Sequence, residues 1–253
     1  MLTFLRHWRE RSILRRRPIG EPAWRQALEH CAPARRLRAS AQVRLRVLAT
    51  LFLAEKSLEP VQGLRLDDGM RALLAAHACI PILNLGLEWY RGWHGVVLYP
   101  GLFIPNRQFV DAAGVVHHDH RVMAGESWQQ GPLILSWESV MQAGTQPGHN
   151  VVIHEFAHKL DMLNGEANGF PPLHRDMRRG EWTRAFKQAY AALQRAWQAS
   201  EATVLDPYGL ENPGEFFAVA SEAFFETPVI LRTRLPELYR QLCLFYRQEP
   251  AGL

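Results

Sequence analysis

Residues 148–163 read GHNVVIHEFAHKLDML, and the spacing within that run decides how the rest of the chain is read. The run has the pattern of a helix start. His154 and His158 are four residues apart, so on a helix their side chains lie one above the other on the same face. Two imidazoles placed in this way can bind one tetrahedral metal, which in such a site is usually zinc. Glu155, next to the first histidine, is positioned to take a proton from a metal-activated water rather than to bind the metal. Val151, Val152, Ile153, Phe156, Ala157, Leu160 and Leu163 surround the motif, so the helix is expected to be largely buried. Buried histidines beside a buried glutamate are costly unless paired or metal-bound. That separates this HExxH from a chance match on an exposed helix.

Working outward, the chain divides into three zones. The first, to about residue 60, reads as helical, with helices over Trp24–His30 and Val43–Leu53; the second carries an apolar stripe of Val43, Val47, Leu48 and Leu51. The second zone opens with a helix near Met70–Ala78 and turns to strand signals. Gly95–Tyr99, Phe103–Val110, Val115–Met123 and Pro132–Trp137 are short, β-rich and bounded by Gly, Pro or Asn, and antiparallel hairpins are their natural arrangement. In the third zone, helices are expected over Glu181–Gln198, Asn212–Glu226 and Leu235–Arg247, the first with a core stripe of Trp182, Phe186, Tyr190, Leu193 and Trp197. Helices, a small sheet, then helices is an α+β order. A sheet edge ahead of the HExxH helix would also give an extended peptide somewhere to bind.

Bulk properties bound the function. With 253 residues, 47% of them hydrophobic, the chain can bury a sizeable core. No stretch offers the apolar length of a membrane span. Arginines from Arg6 onward interrupt any apolar leader. Cys31, Cys79 and Cys243 are widely spaced and form no CxxC pair, so they read as free thiols and favour a cytoplasmic location. Twelve arginines against three glutamates make residues 1–46 strongly basic, although the whole chain is only +4. No nucleic-acid recognition motif accompanies them, and nucleic acid is not an expected partner.

A catalytic site of this kind needs a third protein ligand. The close HExxHxxGxxH arrangement is absent, since Asp161 and Asn164 follow His158. The segment from Asn212 to Glu226 offers Glu215, Glu222 and Glu226. Glu215 and Glu222 share a helix face but lie roughly 10 Å apart, so they cannot both bind one metal. Glu215 also suits a capping box behind Asn212 and Pro213. On spacing alone the choice between Glu215 and Glu222 stays open. His117-His118-Asp119-His120 is a weaker metal cluster, because alternate strand residues point to opposite faces. Asp161 could orient a ligand histidine, and Gly125-Glu126-Ser127-Trp128 could line the cleft.

HNVVIHEFAHKLDMLNGEANG (149–169) and YGLENPGEFFAVASEAFF (208–225), with PILNLGLEWY (81–90) and GPLILSWESV (131–140), resemble the Mlc titration factor A family of bacterial zinc peptidases. The similarity runs from about residue 20 to 245 and is weakest in the arginine-rich start. That family resembles the catalytic domain of anthrax lethal factor, in which a tyrosine lies seven residues before the glutamate ligand. Tyr208 stands seven before Glu215 here, which favours Glu215. The resemblance implies an α+β, zincin-like fold, mainly helical, with a small antiparallel or mixed sheet ahead of the HExxH helix. It implies a metallopeptidase domain over 61–253, with 1–60 a basic helical segment packed on it. His154, His158 and Glu215 would hold one Zn2+, Glu155 would be the general base, and Tyr208 would donate to the oxyanion. Aminopeptidase-like activity on short peptides and binding of a glucose-responsive repressor are further implications. A non-catalytic protein that sequesters a transcription factor is the alternative.

Overall fold

The structure, a computed structural model, describes residues 2–103, 107–110, 116–119, 123–127 and 131–252. Helices α1 (Leu2–Arg16), α2 (Glu21–His30), α3 (Ala32–Arg35) and α4 (Ala39–Glu55) lead into strand β1 (Ser57–Pro60). Helix α5 (Asp68–Cys79) then crosses back to β2 (Gly95–Tyr99). Strands β3 (Arg107–Val110), β4 (Val116–Asp119), β5 (Gly125–Ser127) and β6 (Leu133–Ser136) follow. The rest is helical: α6 (Trp137–Gln142), α7 (Val151–Asp161), α8 (Arg179–Gln198), α9 (Pro213–Glu226), α10 (Pro228–Arg234) and α11 (Pro236–Tyr246). The fold is α+β and mainly helical, as expected.

Four strands form one mixed sheet in the order β1-β2-β6-β5. The first three run parallel, with Ser57 opposite Gly95 and Val96 opposite Leu133, and β5 joins antiparallel with Gly125 opposite Leu135. β3 and β4 form a separate antiparallel pair. The expectation of hairpins throughout is therefore corrected: parallel strands need a crossover, and α5 supplies the one between β1 and β2. The apolar runs GVVLY and LILS are the sign of central parallel strands: Val96, Leu98, Leu133 and Leu135 form one fully buried face, and Val97 and Ile134 on the other face are half-buried. β1 was hidden in a zone read as helical because Glu59 and Pro60 argue against a strand. At a sheet edge, however, proline is tolerated.

Two helical faces also differ from their expected stripes. In α4 Leu51 is buried and Leu48 packs on the core as expected, but Val43 and Val47 are exposed, and Leu45, Ala49 and Phe52 complete the buried face. In α8, Trp182, Phe186 and Leu193 are buried but Trp197 is exposed. In α8 the last turn runs past the core, whereas in α4 apolar residues occupy more than one face.

Aromatic rings fill the space beneath α7. Phe156 packs against Phe52, Tyr90 and Trp93 with ring centroids 5.7, 5.0 and 5.7 Å away. Lys56 sits over the Trp93 ring at 3.9 Å and donates to the carbonyls of Tyr90 and Trp93. The first helices and the HExxH helix thus share one core. Cys31, Cys79 and Cys243 are free thiols. No helix among the described residues is long and apolar enough to cross a membrane.

Candidate metal centre

Two helices build the site, and each starts at an asparagine. Asn150 caps α7, its Oδ1 accepting from Ile153 N–H at 3.1 Å. Asn212 caps α9, accepting from Glu215 N–H at 3.0 Å, with Pro213 in the first turn. Fixed starts set the rotation of both helices, so α7 presents His154 and His158 toward α9, and α9 presents Glu215 and Glu222 toward α7. Asn212 caps Glu215 as the capping-box reading expects, but the Glu215 carboxylate turns to the histidines instead of back to the cap.

His154 Nε2, His158 Nε2 and Glu215 Oε2 converge. The histidine nitrogens are 3.2 Å apart, and Glu215 Oε2 lies 2.9 Å from one and 3.2 Å from the other. Donors around a tetrahedral zinc with bonds of about 2.0–2.1 Å are separated by roughly 3.3 Å. Among the described residues these three are the one group of metal-ligating side chains close enough to hold an ion together.

The hydrogen-bond chemistry of the trio also calls for a cation. His154 Nδ1 lies 2.7 Å from Glu222 Oε1. A carboxylate can only accept, so this nitrogen carries a hydrogen and a neutral His154 turns a lone pair at Nε2 toward Glu215. A metal ion or a proton between them removes that conflict. Burial opposes charge on His154, but Glu222 and Glu215 outweigh it and hold the imidazole well above its usual range. Burial likewise opposes charge on Glu215, while hydrogen bonds from His154 and His158 hold its carboxyl well below the carboxylate range. The donor set fits a divalent metal.

Glu155 lies on the same helix but faces β5. It is buried, its Oε2 has no hydrogen-bond partner, and burial raises its carboxyl, opposed by His154 and His158. Gly125 makes room for it: a Cβ there would lie 2.6 Å from Glu155 Cγ. Ser127 Oγ donates to the Glu155 carbonyl at 3.0 Å, tying the edge strand to the helix. Tyr208 lies on the 3-10 turn Pro207–Leu210, its ring 6.0 Å from that of His154, with its backbone N–H donating to Asp206 at 2.8 Å. Glu155, Tyr208 and the three metal-group residues line one cavity of about 660 Å3, whose other wall is β5.

The remaining candidates separate. Glu222 grips the far side of His154 and is no part of the converging trio. Asp161 is fully buried, and its Oδ2 accepts from Gly169 N–H at 2.7 Å. It therefore anchors the 165–173 loop, and no hydrogen bond joins it to a ligand histidine among the described residues. Gly169 has φ +74°, and a Cβ on it would meet Pro213 O at 2.4 Å, so that loop holds the start of α9. Gly125, Glu126 and Ser127 line the cavity as expected, while Trp128 lies outside the described residues. The side chains of the His117–His120 cluster also lie outside them.

Asn150 was missed by the sequence reading. Its N–H donates to Glu222 Oε2, and its side-chain amide donates to Glu226 at 2.6 Å and to His77 Nδ1 at 2.9 Å. One residue thus caps α7 and holds the carboxylate that holds His154. Its place before VVIHEFAH was the available signal.

A histidine pair on one helix, completed by a glutamate from a crossing helix and flanked by a buried carboxyl, defines a metallopeptidase class of site. The chain belongs to the glucose-regulated metallo-peptidase M90 family, whose family model matches residues 5–247. It is 42% identical over 220 residues to the Mlc titration factor A of Salmonella arizonae, covering 85% of this chain and 86% of that relative. Its counterparts in Salmonella gallinarum and Salmonella agona are 42% and 41% identical, each with 85% of this chain and 82% of the relative covered.

Proposed function

We propose that this protein is a zinc-dependent metallopeptidase of the cytoplasm, with aminopeptidase-like action on short peptides. The observation that carries the reading is the convergence of His154, His158 and Glu215 beside the buried Glu155. Zinc bound by the trio would polarise the scissile carbonyl and acidify water. Glu155 takes the proton from the attacking water and delivers it to the leaving amine, a task suited to a carboxyl raised by burial. Tyr208 donates its hydroxyl to the developing oxyanion. Glu222 keeps the His154 hydrogen on Nδ1, so that Nε2 remains a ligand lone pair. β5, an edge strand along the cavity, offers backbone groups to an extended peptide. The arginine-rich segment before residue 60 acts as a structural cover of the catalytic body.

A second activity is favoured by the name of the relatives: binding of an Mlc-like, glucose-responsive repressor. A protein that only sequestered a repressor would have no use for Glu155, so the two activities coexist in this reading. Glu155→Gln tests it. The variant should retain zinc and repressor capture while losing hydrolysis of fluorogenic aminoacyl and short peptide substrates. Hydrolysis unchanged in Glu155→Gln would remove the catalytic assignment.

A further inference from the structure

Beside the metal cavity lies a second one of about 700 Å3, and His149, Asp206 and Val219 line both. His149 Nδ1 stands 3.3 Å from Asp206 Oδ2, so this pair forms a sill between the two spaces. Asp206 is also the residue whose other oxygen accepts from Tyr208 N–H. Past the sill the lining turns apolar, with Leu205 and Val204 on one side and Val229 and Ile230 of α10 on the other. Val229 and Ile230 are 55% and 52% exposed. Two adjacent β-branched residues left open in a concave surface of ligand-pocket size are unusual for a merely solvated wall. Thr203, Thr233 and Arg234 give the groove a polar rim.

We infer that this groove is a specificity subsite that takes an apolar side chain of the peptide substrate as the peptide crosses the His149–Asp206 sill. The inference rests on the peptidase reading above. Continuity selects the occupant: a peptide held along β5 with its carbonyl at the metal trio leaves the cavity over residues that already belong to the groove. The groove then determines which peptides are cut, without touching the reacting atoms.

The test is a positional series of quenched fluorescent octapeptides, a glycine–alanine backbone with leucine or lysine placed at each position in turn. Wild type should show one position at which leucine raises kcat/KM about tenfold over glycine, the scale of apolar pocket discrimination. In the Val229→Asp/Ile230→Asp double variant the leucine-to-glycine ratio should fall to near one, and lysine should become preferred at that position. Both residues lie at the surface, so zinc content and thermal unfolding of the variant report an intact fold. An identical positional profile in the two proteins overturns the subsite while leaving the peptidase reading standing. Loss of repressor capture with that profile unchanged also overturns it and makes the groove a protein-docking face. No cleavage of any peptide by wild type removes the peptidase reading, and the subsite falls with it.

Discussion

At the scale of single residues, His154 carries the most constrained chemistry, because both ring nitrogens are engaged. Nδ1 faces Glu222 at 2.7 Å, and Nε2 faces Glu215 at 2.9 Å. Replacing Glu222 with alanine should lower metal affinity about 10- to 100-fold, read by competition with a chromogenic chelator; unchanged affinity would reduce Glu222 to a packing residue. Glu155→Gln should lower kcat by about 10²–10⁴ at unchanged metal content. His154, Glu155 and His158 were legible in the sequence because helical geometry is local: four residues fix a shared face whatever surrounds them. Glu215 and Glu222 were not separable in this way. Both face α7, and which one converges with the two histidine Nε2 atoms depends on where two helices cross. The family tyrosine spacing broke the tie where spacing alone could not.

Among elements, α7 and α9 depend on their caps more than their composition suggests. Asn150 accepts from Ile153 N–H, donates to Glu226 and His77 through its amide, and donates to Glu222 through its backbone. Asn150→Ala should destabilise the fold by about 2–3 kcal/mol, combining a lost cap with a buried carboxylate left short of a donor. Urea unfolding of the metal-free protein measures this, and a loss below about 0.5 kcal/mol would contradict the network. Most helices were legible from apolar spacing and from Asn212-Pro213. β1 and the parallel sheet were not, since strand pairing is set by partners far along the chain. In α4, apolar residues occur on more than one face, and only packing shows that Leu45, Ala49 and Phe52 join Leu51 against the core while Val43 and Val47 do not.

For the whole molecule, burial of ionisable groups predicts how stability follows pH. His77 is fully buried, and burial lowers its imidazole from 6.5 to about 4. It stays neutral in the fold, whereas the unfolded chain takes up a proton below pH 6.5. Its contribution is therefore present above pH 6.5 and is lost as pH falls toward 4, amounting to about 3 kcal/mol in total. Between pH 7 and 4, metal-free wild type should lose about that much more unfolding free energy than His77→Gln; parallel curves would show that His77 is not the source. The central claim is also one of the whole molecule, because it joins side chains 61 residues apart in the chain at 2.9 Å. It is tested most directly by metal content, from mass spectrometry of protein purified without added zinc, for wild type and Glu215→Ala in parallel. The account predicts near-stoichiometric zinc in wild type and a sharp loss in the variant. Zinc retained by Glu215→Ala, or no zinc in wild type even when it is supplied, would contradict it.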